Sequence, residues 1–345
     1  MTIILVYVLL YLFALSAENA TKENKKRLLI LTCVVLAFLA GVRDNTWNDT
    51  KVYIMGFEDY TPSFANLTVY DVPFGYAEKG FFYLGVIVKS FTSNTTTYFL
   101  FVSFITLFFL YKAFNKYCYY PFLGICAYIS RFYLARNFMQ IRAGLSYAII
   151  LMAVQYITTK DWKRYFAWVF VAYLFHHSAL IAVPLYFLCM IDIKKWHIVA
   201  GIGVAFVIAA FYSNVIRSLV ADSASDLNVD TYVEEEYQRE WGLANPMIYF
   251  QTFLLLVYTF TEDRMRLTTN HYVAIRNAYF YSTLILITLS CYTALSGRTS
   301  SMFATLEMVI IPSIALAFFK KDRWIAFIVM GVALAAIFYM NWMRR

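Results

Sequence analysis

The stretch LLILTCVVLAFLAGVRDNTWNDTKVY, residues 28–53, settles the class of fold. Its first half carries no charge and would sit in lipid, whereas the second half brings Arg43, Asp44, Trp47, Asp49 and Lys51 in quick succession. A helix satisfies its own backbone hydrogen bonds and can cross hydrocarbon, but a polar, irregular segment must leave it. The same alternation of long apolar runs and short charged segments continues along the chain, which marks a polytopic membrane protein. Of 345 residues, 61% are hydrophobic, 20% aromatic and 14% charged. Soluble domains carry about 25% charged residues, so that class is excluded.

The net charge of +8 is dispersed between the apolar runs. It reads as membrane topology, and no nucleic-acid partner is expected. The five cysteines (Cys33, Cys118, Cys126, Cys189, Cys291) have neither metal-site nor disulfide spacing. The first apolar run precedes its basic cluster, KENKKR, and reads as an uncleaved span.

The expected fold is an all-α polytopic membrane protein. It has about ten to twelve transmembrane helices plus re-entrant or interfacial segments, in a single transmembrane domain over residues 1–345. Spans are predicted near 2–17, 28–42, 97–113, 118–134, 141–159, 196–213, 246–262, 273–293, 302–319 and 324–342. Lysine clusters at Lys22/Lys25/Lys26, Lys112/Lys116, Lys160/Lys163, Lys194/Lys195 and Lys320/Lys321 can all lie in the cytoplasm, as the positive-inside rule prefers. That topology makes 80–91, which contains Lys89, re-entrant or interfacial. It makes 165–192 cross twice or fold back near FHHS, with Pro184 in the returning limb. Outer loops are predicted at 43–79 and 214–245, the second acidic, and both termini lie outside, with Arg344 and Arg345 against the rule.

The arginines do not follow the lysines. Arg43, Arg131, Arg136, Arg142, Arg217, Arg239 and Arg298 all fall on the outer side or at outer span ends. Each has two readings. One is a snorkelling side chain or an ion pair with Asp44, Glu78 or Glu307. The other is a phosphate ligand, because the planar guanidinium grips phosphate with two parallel bonds. Taken together they point to a polyanionic ligand at the outer face. Trp47, Tyr53, Tyr60, Tyr70 and Tyr76 in the first outer loop offer aromatic faces on which sugar rings could dock.

Four stretches carry the candidate chemistry. In GVRDNTWNDTKVYIMGF, Asp49, Tyr53 and Phe57 recur every four residues and share one face of a short helix. YAEKGFFYL places Glu78 before the short apolar run. RNFMQIRAGLSYAII places Arg136, Gln140 and Arg142 where a span opens. AYLFHHSALIAVP sets His176 and His177 inside an apolar run.

In order and spacing these stretches resemble the EpsG-like branch of the Wzy polysaccharide polymerases. The matching positions are Gly41 and Arg43, Asp49 and Tyr53, and Glu78, Gly80 and Phe81. They continue through Gln140, Ile141 and Arg142 to Phe175, His176, Ser178, Ala179 and Leu180. Ala143 replaces a second Gln of the family, and His177 doubles the histidine. The resemblance covers about residues 40–190.

The resemblance implies a GT-C-like glycosyltransferase of the bacterial cytoplasmic membrane, with its site toward the periplasm. Its donor would be a growing glycan on undecaprenyl diphosphate. Its acceptor would be the non-reducing-end hydroxyl of a lipid-linked repeat unit, and a chain-length co-polymerase would be a partner. Departure of the diphosphate develops negative charge that aimed arginines can stabilise. No Asp-x-Asp or His/carboxylate cluster appears on the outer face, so no metal or other cofactor is expected, and Arg43, Arg142 and Arg298 take the place of a divalent ion. The base that accepts the acceptor's proton is His176, with Asp49 or Glu78 as the alternative. His176 can equally serve as a hydrogen-bonding stitch in a broken helix. Two other readings are a transporter or flippase of anionic lipid-linked glycans and an O-antigen ligase.

Overall fold

The computed structural model describes residues 2–68, 71–73, 78–222, 241–318 and 323–343. Tyr70, Tyr76, Arg239, Lys320, Lys321, Arg344, Arg345 and most of the 214–245 loop lie outside them. The described residues form helices joined by turns. In order these are α1 (Thr2–Ala17), α2 (Lys22–Gly41), α3 (Thr50–Glu58), α4 (Lys79–Lys89), α5 (Thr95–Tyr117) and α6 (Pro121–Tyr128). A π-helix (Ile129–Met139) leads to α7 (Ile141–Ala153), α8 (Gln155–Thr158) and α9 (Trp162–Phe175). A 3₁₀ turn (His177–Ala182) precedes α10 (Val183–Leu188), α11 (Lys195–Phe211) and α12 (Ser213–Asp222). Then come α13 (Pro246–Phe260), α14 (Glu262–Met265), α15 (Tyr272–Thr288), α16 (Thr293–Ala304), α17 (Glu307–Phe318) and α18 (Arg323–Met343).

Each of the ten predicted spans is helical over most of its length. By length and composition, three described helices qualify as spans alone: Thr95–Tyr117, Ile141–Thr158 and Arg323–Met343. Counting each of two bent pairs as one span raises this to five. The others are short or interrupted, as the break before Gln140 and the turn at His177 illustrate.

The chain groups into two compact units, residues 1–183 with 268–270 and 307–345, and residues 184–267 with 271–306. In the first unit, α5 begins where the Asn94 side chain accepts from the Thr97 N–H at 3.0 Å. It runs for 23 residues, about 35 Å of rise, enough for a hydrocarbon core of ~30 Å. α5 packs against α2 and α7, and α7 against α9. Every residue of α7 is buried. The span that contains it is 83% buried, against 22% for α18, so protein surrounds α7 while α18 presents an apolar surface.

Gly144 is needed for this packing. A Cβ there would collide with the Arg136 carbonyl oxygen of the π-helix. Gly144→Ala is expected to destabilise the protein by about 1–3 kcal/mol through overpacking and to displace Arg136, as thermal unfolding in detergent would show.

α4 has only 11 residues, a rise of ~16 Å, which is short of a hydrocarbon core of ~30 Å. Lys89 fastens its end by donating to the Phe57 and Glu58 carbonyls at 3.0 Å each. Within the first unit, residues 165–182 fold back. α9 stops at the extended His176, and the Tyr165 hydroxyl donates to the Ala182 carbonyl at 2.8 Å.

In the second unit α15 packs on α11, α13 and α16. A polar ladder joins its helices: the Gln251 amide donates to Ser282 Oγ at 3.3 Å, and that hydroxyl donates to the Ser300 carbonyl at 2.7 Å. Hydroxyl and amide contacts of this kind hold helices together where lipid supplies no hydrophobic drive.

Candidate functional site

The C-terminal ends of α2, α9 and the π-helix meet the N-terminal ends of α4, α5 and α7 at one end of the first unit. Arg43, Glu78, Gln140, Arg142 and His176 all sit there. Lys22, Lys25 and Lys26 open α2, Lys112 and Lys116 close α5, and Lys160 and Lys163 flank the start of α9. These seven lysines therefore lie at the ends of α2, α5 and α9 that are remote from the site arginines.

Glu78 is the N-cap residue of α4, yet its side chain makes no capping bond. Its carboxylate turns inward instead. Oε2 accepts from Arg142 Nη1 at 2.7 Å, with both side chains nearly inaccessible. Oε1 accepts from the His177 backbone N–H at 3.2 Å, with His177 Nδ1 at 3.9 Å. Gly80 makes this reach possible, because a Cβ there would lie 2.5 Å from the Leu174 carbonyl oxygen. α4 is thus pressed against α9 two residues before His176. Arg142, in the first turn of α7, also hydrogen-bonds the Tyr53 hydroxyl.

A second string of contacts runs beside the first. Arg136 donates from Nη1 to Gln140 Oε1 at 2.6 Å and stacks 4.4 Å from the centre of the Tyr147 ring. Ser178 Oγ donates to the Tyr147 hydroxyl at 3.1 Å and lies 2.6 Å from His176 Nδ1. That same nitrogen accepts from the Ser178 N–H at 3.2 Å, so His176 caps the 3₁₀ turn through Nδ1. Arg136 and Gln140 owe their positions to the wide π turn, where the Gln140 N–H reaches back five residues to the Ala135 carbonyl at 2.8 Å. π-helical geometry is rare and often accompanies functional sites.

Arg43 donates from Nη1 to the Phe138 carbonyl at 2.7 Å and stacks 4.2 Å from the Phe99 ring centre. Its Nε and Nη2 are buried with no hydrogen-bond partner among the described residues. Burial lowers its pKa to about 10, and it stays cationic at neutral pH. Tyr53 and Tyr98 interact electrostatically with both Arg43 and Arg142, which places the two guanidiniums around one pair of phenols.

A family model described as the EpsG family matches residues 26–345. The chain belongs to the EpsG family. No curated protein and no solved structure matches it. EpsG proteins are associated with glycosyltransferase-like polymerases of polysaccharide biosynthesis, and the apolar helices make this one a membrane protein. The match extends the likeness past residue 190 to the last residue.

Of the residues singled out in this EpsG sequence, Arg43, Tyr53, Glu78, Arg136, Gln140, Arg142, His176 and His177 gather at one end of the first unit. Asp49 does not join the contacts. Its left-handed backbone (φ 64°) makes it the N-cap, so α3 starts only at Thr50; its side chain is exposed, while Tyr53 and Phe57 face inward. Arg298 is exposed on α16, in the second unit. Two of the ion-pair readings hold: Arg142 with Glu78, and Arg131 with Glu307 at 2.9 Å. Among the described residues no group of three His, Cys, Asp or Glu side chains could hold a metal. Sequence reasoning missed Tyr98 and Tyr147. Their hydroxyls sit in aromatic, apolar runs, and only their place beside charged neighbours singles them out.

Proposed function

We propose that this EpsG-family protein is a membrane polysaccharide polymerase. It transfers a growing glycan from undecaprenyl diphosphate to the non-reducing-end hydroxyl of a lipid-linked repeat unit, at the outer face and without a metal ion. The observation that carries the reading is the buried Glu78–Arg142 pair, bonded also to Tyr53 and the His177 backbone, at the head of a wholly buried helix. A fixed guanidinium held there by a carboxylate is a site at which one anion can replace another.

In the proposed step the donor diphosphate takes the place of the Glu78 carboxylate on Arg142, and Arg43 contributes its buried, unbonded nitrogens. The released Glu78 then serves as base. The acceptor oxygen bonds to the anomeric carbon, its proton passes to Glu78, and the carbon–oxygen bond to phosphate breaks. The bonding pair leaves with the diphosphate, whose growing charge the two arginines stabilise. Glu78 suits this role better than His176, whose Nδ1 is taken by Ser178, and better than Asp49, whose exposed side chain joins none of these contacts.

The test is reconstitution of purified protein with an undecaprenyl-diphosphate-linked repeat unit in the presence of a chelator. A ladder of products one repeat apart is expected. Unchanged substrate in the opposite leaflet would identify a flippase, and transfer only after addition of lipid A-core a ligase. His176→Asn is expected to keep laddering within about tenfold, because an Asn oxygen accepts the same capping N–H. Complete loss in a folded His176→Asn protein would return the base to His176.

A further inference from the structure

The second unit holds a polar cavity of about 300 Å³ that plays no part in the transfer described above. Four cations line it, Lys194, Lys195, Arg266 and Arg276, against two carboxylates, Asp192 and Glu262. Arg266 occupies Glu262 through bonds of 2.6 and 2.8 Å to one oxygen. Arg276 is buried and rigidly aimed: it donates to the Ile193 carbonyl at 2.7 Å and to Asn277 Oδ1 at 3.0 and 3.1 Å. Its remaining nitrogen, Nη1, stays 4.0 Å from Glu262. Lys194 and Lys195 form no ion pair among the described residues. The cavity therefore carries surplus positive charge on a fixed base. Its rim is apolar, with Ile191 and Val273 exposed, and Trp196 exposed beside it.

The geometry points to a binding site for a phosphate anion, formed by Lys194, Lys195 and Arg276 and suited to the headgroup of an anionic lipid. Basic pockets at the cytoplasmic ends of membrane helices take such headgroups. Lys194 and Lys195 are among the clusters that orient the chain with this end toward the cytoplasm. A phosphate on the cations with acyl chains along Ile191, Val273 and Trp196 satisfies both halves of the cavity. Free phosphate would use the cations alone.

Delipidated protein in detergent would be titrated with phosphatidylglycerol, phosphatidylcholine and inorganic phosphate, reading lipid retention by native mass spectrometry and phosphate by ³¹P line broadening. Wild type is expected to hold phosphatidylglycerol at least tenfold more tightly than phosphatidylcholine. Lys194→Gln/Lys195→Gln should weaken that binding about 30-fold, at roughly one unit of surface attraction for each lysine, with unfolding temperature unchanged. Phosphate binding lost in the same variant, without lipid discrimination, would identify a soluble anion as the source. Equal retention of both lipids together with no phosphate binding overturns the site. So does an equal loss in Lys112→Gln/Lys116→Gln, which would show non-specific attraction.

Discussion

Arg142→Lys is expected to slow glycan transfer by about 10²–10³-fold while leaving the protein folded, the range found when one donor aimed at a developing oxyanion is removed. The ammonium keeps the charge, and Glu78 remains paired. It has no planar fork, so it cannot hold Tyr53 and two phosphate oxygens in fixed directions at once. If the fork acts mainly on the leaving diphosphate, kcat falls and KM changes little. The measurement is the rate of ladder growth in vesicles at saturating and limiting substrate, beside an unfolding curve. A variant with the wild-type rate would reduce Arg142 to a structural partner of Glu78.

Glu78→Ala should be the most damaging single change to stability. It leaves the Arg142 guanidinium buried without its carboxylate, a loss of about 3–5 kcal/mol, and also strips the His177 N–H of its acceptor. Glu78→Leu/Arg142→Met removes both charges and should recover most of that loss, since a buried pair replaced by apolar groups is close to neutral. The double variant should nonetheless make no ladder. The Arg131–Glu307 pair provides the control, because nothing places it on the diphosphate. Arg131→Met/Glu307→Leu should restore both folding and laddering. Chemical denaturation in detergent with the same transfer assay separates the cases. A ladder from Glu78→Leu/Arg142→Met would remove the pair from the chemistry.

Much of this was open to view in the sequence. Hydropathy locates the ten helical segments, because hydrocarbon admits few charges and no unsatisfied backbone. Lys89 and the two flanking lysine clusters drew attention to two places where the structure has a short helix, α4, and a helix break at His176–His177. The site was legible as residues but not as contacts. Spacing put Asp49 on a face with Tyr53 and Phe57, yet a left-handed residue ends a helix, and Asp49 fell outside. Arg276 escaped notice because it sits within an apolar run, and its meaning comes from Glu262 and from Lys194 and Lys195, the two lysines far away along the chain.

Composition and periodicity establish that this chain is helical and lies in a membrane. Each of those properties follows from the cost of moving one residue between water and lipid, which the residue carries wherever it stands. Packing establishes that Glu78 holds Arg142, that Ser178 occupies His176 and that the Arg43 guanidinium keeps two nitrogens unbonded among the described residues. Those are relations between residues more than sixty positions apart or across a sharp turn. They depend on a Gly80 that lets α4 approach α9 and a Gly144 that lets α7 approach the π-helix.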